Sequence, residues 1–208
     1  MAAQRWNGIA ATLTASVAAT ALSYGLVKTG RARLVDAPVR RALEPTHHPV
    51  ADRVVGLYTD LGSIYALAGI SVALAASGRV RVAVDVAAAG SAAWAGAQAA
   101  KPLLVRLRPY ETSETVRLVA PPAGTSWPSG HAALATAVAT TLAGEFGPRG
   151  RRVLASQVAA VGVSRCYVGV HHATDVVAGI GVGAIFGRIG RTLARAGFNA
   201  AAALSKRR

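Results

Sequence analysis

Residues 6–27 read WNGIAATLTASVAATALSYGLV, 22 residues without a charge, and this stretch decides the fold class. About 20 apolar helical residues cover the ~30 Å of bilayer hydrocarbon. The run shows no polar face at helical spacing, so a helix formed from it must be buried in protein or lipid. Working outward, Leu61–Gly78 (18 residues) and Val86–Ala100 (15 residues) have the same character. Ala132–Gly144, Val153–Ser164 and Val176–Gly187 are shorter and need a neighbouring turn or terminal arginines to complete a span. The sequence therefore predicts an all-α bundle of six transmembrane helices, at about 6–27, 59–78, 82–107, 130–146, 150–168 and 172–194. Abundant Gly, Ala, Ser and Thr suit close helix packing in lipid. Arg5 ahead of the first run, with Ala19-Thr20-Ala21 near its end, also fits a cleaved signal peptide. The apolar length is nearer a span than a signal core, and a retained helix is the expectation.

At 208 residues the chain fits one domain, 1–208, ending in a basic tail at about 199–208 that includes Lys206, Arg207 and Arg208. The formal charge is +14, yet the cations sit at helix ends and form no aromatic-interleaved patch. That distribution argues against nucleic acid and for anionic lipid headgroups. Cys166 is the one cysteine, so no internal disulfide forms. Lys28–Tyr58, with Arg31, Arg33, Arg40, Arg41, Pro38, Pro45 and Pro49, is the long polar insert. Leu34, Val35, Val39 and Leu43 predict a short interfacial amphipathic helix in it, serving as a substrate-entry lid or as a plain connection. His47 and His48 read as solvated loop residues.

Three blocks carry chemistry. Lys101 and Arg108 lie seven apart in a run containing Leu103, Leu104, Val105 and Leu107. Read as the end of a helix stopped by Pro109, this puts both cations on one face, able to straddle a phosphoryl group. A pair of snorkelling cations at a membrane boundary is the alternative. In Pro128-Ser129-Gly130-His131, Ser129 is a candidate N-cap and Gly130 permits close backbone approach. The helix start beyond it favours an anion, with His131 in the first turn; alone, His131 would read as an ordinary polar helix end. Ser164-Arg165 leads after five residues to His171 and after three more to Asp175. Four apart on a helix, His171 and Asp175 meet as a dyad in which the carboxylate fixes the imidazole tautomer. His171, His172 and Asp175 also have metal-ligand chemistry. Crowding by cations argues against it, and no metal or other cofactor is expected.

In this order and spacing, the blocks resemble the three-part signature of the type 2 phosphatidic acid phosphatase superfamily, which also contains bacterial acid phosphatases and vanadium haloperoxidases. The resemblance implies a membrane lipid phosphate phosphatase acting on a polyprenyl diphosphate, phosphatidic acid or phosphatidylglycerophosphate. It further implies that His171 attacks phosphorus, Asp175 orients it, and His131 protonates the leaving oxygen and later activates water. Lys101, Arg108, Ser129, Gly130 and Arg165 would hold the phosphoryl oxygens. A soluble or periplasmic acid phosphatase or haloperoxidase with the same pocket is the rival, opposed by the helix hydrophobicity. A non-catalytic anionic-lipid-binding protein is the second rival, opposed by the dyad spacing.

Sorting Lys and Arg by the six-helix scheme puts 11 on the catalytic face and 12 on the other. Arg79, Arg81, Arg149, Arg151 and Arg152, however, crowd two very short loops, where the positive-inside bias is strongest. Both termini are therefore expected in the cytoplasm of a multi-pass plasma-membrane protein, with the active site on the extracytoplasmic side.

Overall fold

The computed structural model describes residues 2–112 and 115–205. Among them are nine α-helices and no strand. The helices are α1 (Ala2–Lys28), α2 (Arg33–Leu43), α3 (Pro49–Tyr58), α4 (Ile64–Ala76), α5 (Val80–Ala100), α6 (Pro109–Thr112), α7 (Gly130–Leu142), α8 (Pro148–Tyr167) and α9 (Ala173–Ser205). Of the basic tail, Lys206, Arg207 and Arg208 lie outside the described residues.

The expected helices survive as α1, α4, α5, α7, α8 and α9, with informative departures. Helix 59–78 starts late, because Thr59–Gly62 forms a 3-10 turn and the Ser63 hydroxyl caps α4 by accepting from the Ala66 amide at 3.2 Å. Helix 82–107 stops at Ala100, where Lys101–Leu103 is a 3-10 turn. Pro102 explains the stop, since it donates no amide hydrogen and clashes with a continuing helix. The insert does hold the amphipathic helix, α2, with Leu34 and Val35 exposed; α3 was not foreseen. By length and composition Ala10–Lys28 and Ala173–Gly197 can cross a membrane, and Pro49–Gly62 with Ile64–Ala76, bent by 65°, makes a third if counted as one. Six spans are not reached on that measure.

Helix α9 is the central post, packed against α1, α5 and α7, with α4 beyond α5 and α8 beyond α7. Small residues make this possible. A Cβ at Gly179 or Gly183 would run into the backbone oxygen of Ser129 or Ala133, and one at Gly187 would come 2.8 Å from Ala137 Cα. These glycines recur every fourth residue, so one face of α9 lies directly on α7. Ala93, Ala97, Ala133, Ala137 and Val182 form the core between α5, α7 and α9. The α4–α5 and α7–α8 connections meet at one end, where Arg79 bonds Glu145 at 2.7 Å. The signature blocks all lie at the opposite end.

Candidate active site

Backbone contacts bring the signature blocks together. The Ser129 amide donates to the Asp175 carbonyl at 3.0 Å, tying the start of α7 to the start of α9. Ser129 caps α7, its hydroxyl accepting from the Ala132 amide at 3.4 Å. Gly130 has no protein atom nearer than 3.8 Å to where a Cβ would stand, and His131 follows it, half-buried in the first turn, with no hydrogen bond to its ring among the described residues.

Lys101 and Arg108 do converge on the site, but not through a helix. Residues 104–108 form no helix, Leu104 is extended, and burial alternates with a period of two: Leu104 and Arg108 are buried, Val105 and Leu107 exposed. Arg108 Nη1 donates to the Val170 carbonyl at 2.8 Å, and Nη2 reaches the carbonyls of Ala123, Gly124 and Thr125. Lys101 Nζ donates to the Thr125 carbonyl at 2.5 Å. Loop carbonyls thus aim both cations where helix geometry does not. Burial and the neighbouring Arg108 bring the Lys101 ammonium down to about 8. Burial also lowers Arg108, which remains a cation at neutral pH.

Arg165, at the end of α8, is 2 % exposed and donates from Nη1 to Thr59 Oγ1 at 2.9 Å. Beyond it Gly169 takes φ +75, a left-handed turn glycine tolerates without strain, and a Cβ there would strike the Val116 carbonyl. The chain then folds back, so that the Val170 and His171 amides both donate to the Arg165 carbonyl. His171 therefore precedes α9 and does not share a helix with Asp175. The dyad partners still face each other, Nδ1 to Oδ2 at 3.7 Å, which is longer than a hydrogen bond. Burial pushes the His171 imidazole down to about 4 despite the Asp175 carboxylate, with Arg165 and Arg108 adding to the effect. That keeps the ring neutral at physiological pH.

The Asp175 carboxylate, wholly buried, accepts from Arg106 Nη1 at 2.5 Å, Ser126 Oγ at 2.5 Å and the His172 amide at 2.8 Å. Arg106 and Ser126 were missed by sequence reading. The two-residue alternation that buries Arg108 also turns Arg106 inward, a signal concealed by reading the segment as helix. His47 was misread as well, since its Nδ1 pairs with Asp52 Oδ1 at 2.9 Å, with the Tyr167 ring tilted against it, centroids 4.4 Å apart. No cluster of three metal-ligating side chains occurs among the described residues.

Electrostatically the site calls for an anion. Nε of Arg108 and Nε of Arg165 are buried with no hydrogen-bond partner among the described residues, while the equally unpartnered Nδ1 of His171 faces Asp175. Unpaired buried donors and charges cost several kcal/mol between them. Of the nearby carboxylates, Asp175 is engaged as above and Glu111 by the Arg108 amide at 2.6 Å, while Asp60 lies near enough to Arg165 to act on its charge. A tetrahedral oxyanion matches this donor set, and phosphoryl transfer depends mainly on such positioning and charge stabilisation.

Comparisons agree with this chemistry. The family described as the PAP2 superfamily matches residues 58–196. Among solved structures, Aquifex aeolicus LpxE is similar at 26 % identity and a TM-score of 0.66, covering 74 % of this chain and 93 % of that one. A transmembrane PAP2-type phosphatidylglycerolphosphate phosphatase from Bacillus subtilis shares the fold at 20 % identity and a TM-score of 0.75, covering 88 % and 95 % respectively. None of the curated protein sequences compared with the chain matches it.

Proposed function

The chain belongs to the PAP2 superfamily, and from that membership we propose that it is a membrane lipid phosphate phosphatase releasing inorganic phosphate from a polyprenyl diphosphate, phosphatidic acid or phosphatidylglycerophosphate. The observation that carries this reading is the pair of buried, unpartnered guanidinium nitrogens on Arg108 and Arg165 at one end of an apolar bundle. His171 forms the N–P bond as the O–P bond to the lipid breaks, and Asp175 orients the ring and stabilises its charge. His131 protonates the departing oxygen, then takes a proton from the water that cleaves the phosphohistidine. Lys101, Arg108, Arg165, the Ser129 hydroxyl and the Gly130 backbone hold the phosphoryl oxygens.

Six helices, α1, α4, α5, α7, α8 and α9, are assigned as membrane-crossing in one domain of the plasma membrane, with the catalytic end outward. Supporting this, the two short arginine-rich connections meet at the far end through Arg79 and Glu145, as the positive-inside rule requires of a cytoplasmic face. The test is phosphate release by the purified protein in lipid, over the three substrate classes, beside a His171→Ala control. Release from at least one class, absent in the control, is expected. No release from any, or equal release by the control, overturns the reading.

A further inference from the structure

Arg106 lies between two carboxylates. Its Nη1 donates to Asp175 Oδ1 and its Nη2 to Asp36 Oδ2, each at 2.5 Å, and Nη1 also bonds Thr174 Oγ1 at 2.8 Å. The three charged side chains are 13 %, 0 % and 9 % exposed for Arg106, Asp175 and Asp36. Asp36 belongs to α2, the amphipathic helix of the insert, and its other oxygen, Oδ1, accepts from the Thr174 amide at 2.9 Å and hydroxyl at 3.0 Å. So α2 is clamped onto the first turn of α9, at the residue next to Asp175.

Resting on the phosphatase reading above, we propose that Arg106 and Asp36 are a positioning pair for the dyad, acting on catalysis through Asp175. Asp175 has two oxygens and several suitors. With Oδ1 held by Arg106, Oδ2 is left to Ser126, the His172 amide and His171. Rotation of the carboxylate about its last torsion would trade these partners and take Oδ2 from the imidazole. A guanidinium gripping Oδ1 opposes that rotation, and Asp36 opposes rotation of the guanidinium in turn. Buried, hydrogen-bonded ion pairs of this kind fix orientation more than they add stability. The hydrogen bonds of the Arg106 guanidinium go to Asp175, Asp36 and Thr174, and of these partners only Asp175 faces His171.

The test is a double-mutant cycle on the full-length protein in lipid, with kcat, KM and the inhibition constant for inorganic phosphate as readouts. Arg106→Gln is expected to lower kcat by about 10–100-fold and leave KM and phosphate inhibition nearly unchanged. In an Asp175→Asn background the same substitution should cost little more, because the oriented charge is already gone. Asp36→Asn should lower kcat by a smaller factor and have no further effect in Arg106→Gln. Additive losses, or a loss of phosphate affinity matching the loss of kcat, would mean that Arg106 serves folding or the phosphate pocket itself, and overturn the proposal. If Arg106→Gln does not fold, Asp36→Asn with and without Asp175→Asn runs the same cycle. An active His171→Ala would instead overturn the phosphatase reading beneath.

Discussion

His171 Nδ1 stands 3.7 Å from Asp175 Oδ2, while that oxygen already accepts from Ser126 and the His172 amide. The dyad must therefore tighten as the imidazole gains charge, which apo geometry leaves open. His171→Ala is expected to abolish turnover in a folded protein. Asp175→Asn should cost less, up to about 10⁴-fold in kcat, because an amide can keep part of the orientation. Substantial turnover by purified His171→Ala removes the covalent route.

Lys101 sets an alkaline limit. Burial and Arg108 lower its ammonium to about 8, so the cation is present below that pH and lost above it; a bound phosphoryl group moves the loss higher. KM for a lipid phosphate should rise about tenfold or more through this range, the size of one charge-assisted contact of about 1.5–3 kcal/mol. Lys101→Arg should shift the rise to higher pH. A KM flat across the alkaline range in the unsubstituted protein contradicts the assignment.

Cation-based binding predicts metal independence. Activity should survive EDTA, and vanadate should compete with substrate by imitating five-coordinate phosphorus. Restoration of EDTA-treated protein by magnesium or zinc alone would show that a metal takes part.

Packing of α9 predicts glycine substitutions of opposite sign. Gly183→Ala presses on the Ala133 carbonyl and should destabilise the fold by about 1–3 kcal/mol, lowering Tm by several degrees in detergent. Gly69→Ala, in exposed α4 with nothing within 4 Å, should stabilise it by about 0.5–1 kcal/mol. Equal effects in a thermal melt would mean that the α7–α9 contact is not tight.

The proposed orientation rests on the arginine-rich connections. A reporter fused after the C-terminus should be active only in the cytoplasm, and a cysteine at Pro121, in the exposed loop before α7, should react in intact cells with an impermeant thiol reagent. The reverse labelling pattern places the catalytic end inside.

Much of this was legible in the sequence because it depends on local chemistry. Charge-free runs gave α1 and α5, Ser129 gave the cap of α7, and the signature spacing gave the cluster of cations and histidines. What failed were geometries set by tertiary contacts. The Lys101–Arg108 segment reads as helix by its leucines, yet Pro102 breaks it and carbonyls from 123–125 hold its two cations. His171 and Asp175 are four apart, as on a helix, but the Gly169 turn brings them together instead. Asp36 lies 139 residues before Asp175, a separation at which no spacing rule applies. Span number was also unreadable, since a helix buried among neighbours need not be as apolar as one facing lipid.

The bond from the Ser129 amide to the Asp175 carbonyl ties the start of α7 to the start of α9 at one end of the bundle. A catalyst with its reacting groups at that end, as proposed, would be vectorial: it would draw water from, and return phosphate to, a single compartment. In sealed vesicles with mixed insertion, a water-soluble substrate added outside would meet only the molecules whose catalytic ends point outward. The remainder would be latent until a detergent opened the bilayer, and that latent fraction would count the inverted molecules without any label.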